Sequence, residues 1–330
     1  DESAEKVAFK IFKNTDKREK IFLNESAAME EYQKSGKSFA PHFFGSGNFL
    51  SQSETWPFIA MEYLEGMDLK DWILKNKSPK ESLEMARKVL EAAASLNLVH
   101  GDLKPENIMV AGSTVKIVDF GMAKFGEAIG KDLPPGGFYG TPDYTAPDVI
   151  TSLSKVSPQI DVYSMGIILY ELATGKHDLF GTFNYSEDIN VLQAAFEAMV
   201  DQKNSRLSTE TIQMKMITDS GPMTFKIWET AAPVIAKALD PHPENRYATL
   251  QEMYEDFQRH VPRSEMRGAV NSQFLLMPSG KRVLRQLSFW ESGDFYELEF
   301  KPGQLLTFRQ NKSMDSLTYE IFVKKLGEKK

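Results

Sequence analysis

The spacing of apolar residues predicts a small, strand-rich segment at the start of the chain. Residues 7–12 and 58–63 are short apolar runs of the kind that form β-strands. Between them, residues 21–29 place apolar side chains at helical spacing, and Ser35-Gly36 is typical of a helix end. Residues 1–66 are therefore predicted to form short strands with one helix.

Beyond residue 66 the pattern becomes mostly helical. Apolar side chains recur at helical spacing in the stretches 82–98, 160–174, 188–200, 232–239 and 250–260. A short hairpin is predicted over 107–118, with its turn at Ala111-Gly112-Ser113. Residues 124–140 hold five Gly and two Pro with little periodicity, which predicts a long loop of the kind that carries function.

The last part of the chain, from residue 268, returns to strand-like runs. Strands are predicted over 273–276, 295–300, 305–309 and 318–323. Lys301-Pro302-Gly303 is typical of a hairpin turn. This part is predicted to be a β-containing extension, and its composition does not indicate its role.

Composition excludes several classes of protein. The chain of 330 residues is long enough for about two domains, and its 42% hydrophobic and 26% charged residues are typical of a globular protein. A net charge of −7 gives no reason to expect nucleic acid as a partner, and the absence of Cys excludes a zinc ribbon, a thiol nucleophile and disulfides. No apolar stretch approaches the roughly 20 residues of a spanning helix, so no membrane span is expected.

Residues 100–107, His-Gly-Asp-Leu-Lys-Pro-Glu-Asn, carry side chains suited to phosphoryl chemistry. Asp102 offers a carboxylate that takes a proton, Asn107 an amide oxygen for a metal ion, and Lys104 a cation for phosphate oxygens. Asp119 follows the next predicted strand, so its carboxylate is expected beside the same loop. Because Mg²⁺ prefers a few carboxylate or amide oxygens together with water and substrate phosphate, these residues predict a magnesium and phosphate site.

Six motifs, in this order, resemble those of the eukaryotic-type Ser/Thr protein kinases. They lie at 7–10, 100–107, 119–121, 140–148, 161–166 and 240–246. The resemblance implies an α+β, protein-kinase-like fold of two lobes, with a small β-rich N-lobe over 1–66 and a mostly helical C-lobe over 67–264. Residues 265–330 are then an appended β-containing C-terminal extension.

The resemblance also implies a role for each residue of a catalytic site. Lys10 is expected to hold the α- and β-phosphates of ATP and to pair with Glu25, fifteen residues later. Asp102 is expected to accept or orient the proton of the substrate hydroxyl. Lys104 is expected to steady the transferring phosphoryl group.

The remaining residues of this site are implied to bind the nucleotide and its metal ion. Asn107 and Asp119 are the expected ligands of Mg²⁺. The expected contacts to the adenine and ribose of ATP come from Ala8, Met61, Glu62, Leu64, Asp68 and Met109.

Three structural contacts are implied as well. Arg246 is expected to pair with Asp148, which stands where the family usually has Glu. Asp161 is expected to accept hydrogen bonds from the backbone of the catalytic loop. His100 is expected to pack against Phe120 rather than to take part in catalysis, and Glu106 is expected to be exposed and solvated.

Two departures from the family pattern affect the expected function. No Gly precedes Gly36, so the Gly-rich strand-turn-strand that covers ATP is absent before Lys10, and we expect the N-lobe in this chain to be incomplete. Gly101 replaces the Arg that normally receives the activation-loop phosphate, and residues 122–140 have Tyr139 as their only hydroxyl. Activity is therefore expected not to depend on phosphorylation of this loop.

The expected function is transfer of the γ-phosphoryl group of Mg-ATP to Ser or Thr of protein substrates. Two alternatives stay open at this point: a small-molecule phosphotransferase of the same fold, since such enzymes share the sequence at 100–102, and a pseudokinase scaffold without turnover. Residues 265–330 are left with three roles, which are capping the C-lobe, docking a partner and self-association. We expect a cytoplasmic protein, located in the host cytoplasm if it is a delivered bacterial effector.

Overall fold

The fold is that of a computed structural model of the chain, which divides into two compact units, Asp1–Met266 and Arg267–Lys330. The structure describes residues 6–12, 16–51, 54–76, 78–131, 140–150, 155–177, 179–180, 189–205, 207–262, 274–276, 282–284, 304–313 and 316–325.

The first unit begins with a three-stranded antiparallel sheet and one long helix. The elements are β1 (Val7–Ile11), α1 (Asp16–Lys34), β2 (Phe43–Ser51) and β3 (Glu54–Glu62). The sheet order is β1-β3-β2, and its register places Ala8 opposite Met61. The sequence pattern did not reveal β2, because Gly45 and Gly47 interrupt its apolar alternation.

The rest of the first unit is mostly helical. A second antiparallel sheet has the order β4-β5-β6, with β4 (Met67–Asp68), β5 (Ile108–Ala111) and β6 (Thr114–Ile117). The helices are α2 (Leu69–Lys75), α3 (Pro79–Ala94), α4 (Pro147–Ile150), α5 (Gln159–Thr174), α6 (Ile189–Asn204), α7 (Thr209–Ser220), α8 (Pro222–Trp228), α9 (Ala232–Ala238) and α10 (Leu250–His260). Short 3-10 helices cover Pro105–Asn107, Gly126–Ala128, Glu229–Ala231 and Pro243–Asn245. The predicted α+β architecture is confirmed.

The first long helix of this part, α3, shows how local sequence sets the element bounds. The side chain of Ser78 accepts a hydrogen bond from the backbone N–H of Glu81, and Pro79 occupies the first helical position. The helix ends at Ala94, whereas the apolar pattern predicted an end at 98. The pattern extends too far because Leu96 is also buried, although it lies outside the helix.

The core of this unit is formed around α5. Every residue from 160 to 173 is buried, because the helix is apolar on nearly all sides. At Gly166 the neighbouring helix is so close that an added Cβ would lie 3.0 Å from side-chain atoms of Ala238 and Leu239. The helix is capped by Gly175 with a φ of 69°, the left-handed conformation that favours glycine. α5 is thus a rigid support for the loops that contact it.

The second unit contains two antiparallel strand pairs. β7 (Phe274–Leu276) pairs with β8 (Arg282–Leu284), and β9 (Gln304–Ser313) pairs with β10 (Ser316–Lys325). Three of the predicted strands coincide with β7, β9 and β10, whereas the predicted strand 295–300 and the turn 301–303 lie outside the described residues. Throughout the part of the chain that the structure describes, no helix is both long and apolar enough to span a membrane.

Candidate active site

Lys10 joins three parts of the fold around one positive charge. It lies on β1, and its Nζ donates hydrogen bonds to both carboxylate oxygens of Glu25 on α1, at 2.8 and 2.7 Å, and to Oδ1 of Asp119 at 3.0 Å. Burial lowers the pKa of Lys10, but the attraction of Glu25 and Asp119 outweighs it, so this pKa lies above its ordinary value. Burial raises the pKa of Asp119, but the charge of Lys10 holds it below its ordinary value. Lys10 and Asp119 are therefore both charged at neutral pH.

Asp119, two residues after the end of β6, has a strained backbone conformation. Its φ of 65° is the only positive φ of a non-glycine residue among those described, and such strain persists where the surroundings enforce it. Asn24 of α1 enforces it, because its Nδ2 donates to the carbonyl oxygens of Phe120, Gly121 and Ala123 at 3.2, 3.1 and 2.9 Å. Helix α1 therefore holds Lys10 through Glu25, and it holds the segment of Asp119 through Asn24.

The start of the loop at 100–107 is held by α5. The buried Asp161 accepts hydrogen bonds from the backbone N–H groups of His100 at 2.6 Å and Gly101 at 2.8 Å. Burial raises the pKa of Asp161 to about 7, and the two N–H donors oppose this rise. The buried ring of His100 lies 5.3 Å from the ring of Phe120. Asp161 and His100 thus support the loop, as the sequence predicted.

Asp102 is surrounded by three polar side chains. Oγ1 of Thr141 donates a hydrogen bond to its Oδ1 at 2.7 Å, and Nζ of Lys104 lies 3.2 Å from its Oδ2. Nδ2 of Asn107 donates to the same Oδ2 at 3.2 Å, and Lys104 also donates to Oγ1 of Thr141 at 2.8 Å. Thr141 follows Gly140, whose φ is 89° and where an added Cβ would lie 2.8 Å from a backbone oxygen of the loop. A carboxylate, an ammonium and a hydroxyl therefore meet at one point.

The two predicted metal ligands lie at the same end of the β5–β6 hairpin. Asn107 precedes β5, Asp119 follows β6, and the backbone N–H of Val118 donates to the carbonyl of Asn107 at 2.9 Å. Since Asn107 donates through Nδ2, its Oδ1 is the atom left for a cation. Among the described residues, no group of three or more His, Asp or Glu side chains has metal-binding geometry. An amide and one carboxylate fit Mg²⁺, which takes its other ligands from phosphate and water.

The residues predicted to contact adenine and ribose lie on neighbouring strands. Ala8 of β1 stands opposite Met61 of β3, and Asp68 of β4 stands opposite Met109 of β5. Oδ1 of Asp68 accepts a hydrogen bond from the backbone N–H of Asp71 at 2.8 Å and so caps the start of α2. Asp68 therefore has a structural contact that the sequence pattern did not indicate.

Glu62 and Leu64 lie where β3 ends and the chain turns towards β4. The side chain of Glu62 is 2.5 Å from Nζ of Lys116 and is engaged in this ion pair. At Gly66 an added Cβ would lie 2.2 Å from a carbonyl oxygen of β5, so the close approach of the two segments requires glycine. The side chain of Glu62 is thus engaged with other parts of the protein.

A second cluster of ionisable groups lies near the loop at 100–107. Oε1 of Glu106 accepts a hydrogen bond from Lys70 at 2.6 Å, and its Oε2 is buried with no hydrogen-bond partner among the described residues. The buried Glu171 of α5 accepts a hydrogen bond from the hydroxyl of Tyr144 at 2.9 Å and lies 2.5 Å from Nδ1 of His177. The hydrogen bond to Glu171 raises the pKa of His177. The expectation of a solvated Glu106 is wrong, because this side chain is partly buried and paired.

The ion pair of Arg246 and Asp148 is largely buried. One guanidinium nitrogen of Arg246 donates to Oδ1 of Asp148 at 2.6 Å. Other N–H groups of Arg246 donate to the carbonyl oxygens of Gln159, Asp240 and Pro241. Asp148, although shorter than the Glu that is usual at this position, thus reaches Arg246 as predicted.

Comparison with known proteins gives one family and a group of bacterial relatives. The profile of the family described as Protein kinase domain matches residues 1–257. The chain is 28% identical over 262 residues to a probable serine/threonine-protein kinase PknB of Lactococcus lactis, covering 76% of this chain and 37% of that protein. It is 30% identical over 223 residues to serine/threonine-protein kinase PknB of Mycobacterium leprae, covering 66% and 32%. It is 31% identical over 186 residues to serine/threonine-protein kinase pkn3 of Myxococcus xanthus, covering 51% and 33%. The matched part spans about a third of the length of these relatives.

Proposed function

Because the chain belongs to the protein kinase family, we propose that it transfers the γ-phosphoryl group of ATP to Ser or Thr residues of protein substrates. The observation that carries this proposal is the contact of Lys10 with both Glu25 and Asp119, which ties β1, α1 and the loop after β6 around one cation. An ammonium held in this way neutralises nucleotide phosphates, and phosphoryl transfer depends mainly on such positioning and charge neutralisation. The relatives named as Ser/Thr kinases support the choice of acceptor.

Asp102 orients the acceptor hydroxyl and receives its proton. Thr141 holds Oδ1 and Asn107 holds Oδ2, so the carboxylate has a defined orientation. The hydroxyl oxygen forms a bond to the γ-phosphorus, the bond from that phosphorus to the β,γ-bridging oxygen breaks, and ADP is the leaving group. The hydroxyl proton passes to Oδ2 of Asp102, and Lys104, 3.2 Å from this oxygen, contacts the transferring phosphoryl oxygens.

Asn107 and Asp119 are the residues that would hold Mg²⁺. Their amide and carboxylate oxygens are hard donors, and the lowered pKa of Asp119 keeps its carboxylate ionised. When bound, Mg²⁺ would supply positive charge that offsets the charge of the nucleotide phosphates. Lys10, whose Nζ lies 3.0 Å from Oδ1 of Asp119, adds its own positive charge to the site.

The adenosine pocket is assigned to the paired strands around the turn at 63–66. Ala8 and Met109 pack against the two faces of adenine, and Met61 lines the back of the pocket. The backbone groups of Glu62 and Leu64 bind the edge of the base. Asp68 caps α2 through its Oδ1, and its other carboxylate oxygen, Oδ2, contacts the ribose.

Activity is proposed not to require phosphorylation within residues 122–140. Gly101 offers no guanidinium to receive a phosphate. Thr141 contacts Asp102 through its own hydroxyl, so the segment after this loop reaches the catalytic carboxylate without a phosphate. Treatment with a protein phosphatase is expected to leave the initial transfer rate within about twofold of its starting value.

The proposed reaction is tested by transfer of radiolabelled phosphate from ATP to a protein mixture, followed by phosphoamino-acid analysis. The complete polypeptide is expected to label Ser or Thr, and Asp102→Asn is expected to lower the rate by at least about 100-fold. Asp71→Asn is the matched control, because Asp71 lies on the surface of α2 and pairs with Lys75. Its rate is expected to equal that of the wild type.

The outcomes of this assay separate the alternatives. Equal rates for Asp102→Asn and Asp71→Asn would contradict the role of Asp102. Label that accumulates on a small molecule and not on protein would indicate a small-molecule phosphotransferase. Nucleotide binding without transfer to any acceptor would indicate a pseudokinase scaffold.

A further inference from the structure

Lys203 is a fully buried lysine to which the proposed reaction assigns no role. It lies in the last turn of α6 and is 0% exposed. Its Nζ donates hydrogen bonds to three backbone carbonyl oxygens, those of Pro142 at 2.6 Å, Asp143 at 3.1 Å and Thr145 at 2.6 Å. An ammonium has three N–H donors, so these three acceptors engage all of them.

Aromatic rings complete the surroundings of this ammonium. Nζ lies 5.6 Å from the ring centre of Tyr163 and 6.0 Å from that of Phe180, distances at which a ring attracts a cation. The charged groups nearby in the described structure are Asp143 on the bound segment and Arg246, which stacks on Tyr163 at 4.9 Å and pairs with Asp148. Three carbonyl oxygens and two aromatic rings therefore surround the ammonium of Lys203 and favour a cation at this position.

The segment bound by Lys203 is the one that brings Thr141 to the catalytic loop. Thr141 donates to Asp102 at 2.7 Å. Within the segment, the backbone N–H groups of Tyr144 and Thr145 donate to the carbonyl of Thr141 and form a turn. The turn leaves the carbonyls at 142, 143 and 145 directed towards Lys203, and buried carbonyls need such donors.

We propose that Lys203 is a positioning residue of the phosphoryl-transfer site, which holds residues 142–145 so that Thr141 stays on Asp102. This inference rests on the function proposed above. Lys203 touches no reacting atom and acts through Thr141. A side chain without N–H donors would leave the carbonyl oxygens of 142, 143 and 145 without this partner, so the ammonium fixes the position of the segment.

The protonation of Lys203 gives this role a distinctive pH dependence. Burial lowers its pKa to about 7, and the charge of Asp143 opposes this. Above that pH the amine has two N–H donors for three carbonyls, so the segment loses a hydrogen bond. Because the pKa of Lys203 lies below that of an unfolded lysine, the unfolded chain binds more protons, and this group's contribution to stability rises with pH. Catalysis and stability therefore respond in opposite directions.

The first test compares Lys203→Met with Lys176→Met, a control at an exposed lysine just after α5. In Lys203→Met we expect kcat to fall about tenfold or more with KM for ATP unchanged, measured at a temperature where the variant stays folded. The melting temperature is expected to fall as well, because three buried carbonyl oxygens lose their donor. The decrease of wild-type kcat above about pH 7 is expected to be absent in Lys203→Met. Equal kcat in the two variants, or a loss of activity that only follows a loss of folded protein, would overturn the inference.

Hydrogen exchange of the amides over 141–145 provides a readout that does not need catalysis. We expect faster exchange there in Lys203→Met than in Lys176→Met, with α3 unchanged in both. Unchanged exchange over 141–145 would overturn the inference. Failure of the proposed function has a different signature, in which the wild type transfers no phosphate at any pH while the exchange difference is present.

A pH series on the wild type decides the question if Lys203→Met does not fold. Exchange over 141–145 is expected to accelerate above about pH 7 by more than the general base-catalysed increase measured over α3. An increase equal to that of α3 would overturn the inference.

Discussion

Replacing Arg246 with Met is expected to destabilise the first unit by about 4 kcal/mol, because removing one partner of a buried ion pair leaves the other charge uncompensated. The guanidinium side chain is 0% exposed and that of Asp148 is 15% exposed, so little solvent screens this pair. Arg246 also donates to the carbonyl oxygens of Asp240 at 2.7 Å and Pro241 at 2.9 Å. For a unit of this size, about 4 kcal/mol corresponds to a melting temperature lowered by about 10 °C.

Urea unfolding provides the assay, with fluorescence as the signal. Trp228 is 0% exposed in the first unit, so its emission reports the loss of this core. Arg259→Met is the matched control, because Arg259 pairs with Asp256 at 2.8 Å but is 68% exposed. The control is expected to lose no more than about 0.5 kcal/mol, since surface ion pairs contribute little.

Asp148→Asn separates the charge from the hydrogen bonds of Arg246. The amide oxygen of Asn can still accept from the guanidinium, so this variant is expected to lose about 2 kcal/mol, less than Arg246→Met. A loss of stability in Arg246→Met no larger than that in Arg259→Met would show that burial of the Arg246–Asp148 pair does not matter for folding.

Three further predictions follow from other contacts. Asn24→Ala removes the hydrogen bonds of Asn24 to three backbone carbonyls. We expect this variant to lower the free energy of urea unfolding by about 1–3 kcal/mol and to reduce phosphoryl transfer. Full activity would show that Asn24 does not hold Asp119. Gly66→Ala places a Cβ 2.2 Å from a carbonyl oxygen of β5. We therefore expect the free energy of urea unfolding to fall by about 2–4 kcal/mol and nucleotide binding to weaken. Stability equal to that of the wild type would disprove the close approach. His177→Gln tests a pH dependence: since the pKa of His177 is raised by Glu171, its stabilising contribution is present below its ordinary value of 6.5 and is lost as pH rises through the raised value. The melting temperatures of wild type and His177→Gln should differ near pH 6 and converge near pH 9, whereas a constant difference would rule out the titration.

The residues that the sequence identifies well are those whose chemistry is tied to a short motif. Asp102, Lys104 and Asn107 lie within six residues, and the structure brings their side chains together. Lys10 and Glu25 are fifteen residues apart, yet their spacing matches the kinase pattern and they meet at 2.7 Å. In these cases local sequence order and three-dimensional proximity carry the same information.

The residues that the sequence does not identify depend on contacts between distant segments. Asn24 is a polar residue on a helix, and nothing in its neighbours shows that its amide binds three carbonyls about a hundred residues away. Lys203 lies in the last turn of α6, where a lysine is normally solvated, and only the folded chain shows it to be buried. α7 was not predicted because Met214 is exposed while Ile212 and Met216 are buried, which weakens the helical pattern.

Lys10, Asp102, Asn107 and Asp119 are proposed to form one site for a nucleotide and magnesium. Calorimetric titration of the complete polypeptide with a non-hydrolysable ATP analogue, with and without Mg²⁺, measures whether these residues act together. We predict that Mg²⁺ strengthens nucleotide binding in the wild type and in Asp71→Asn, and that Asp119→Asn loses this enhancement. Absence of nucleotide binding by the wild type, or an equal effect of Mg²⁺ on Asp119→Asn, would contradict the claim.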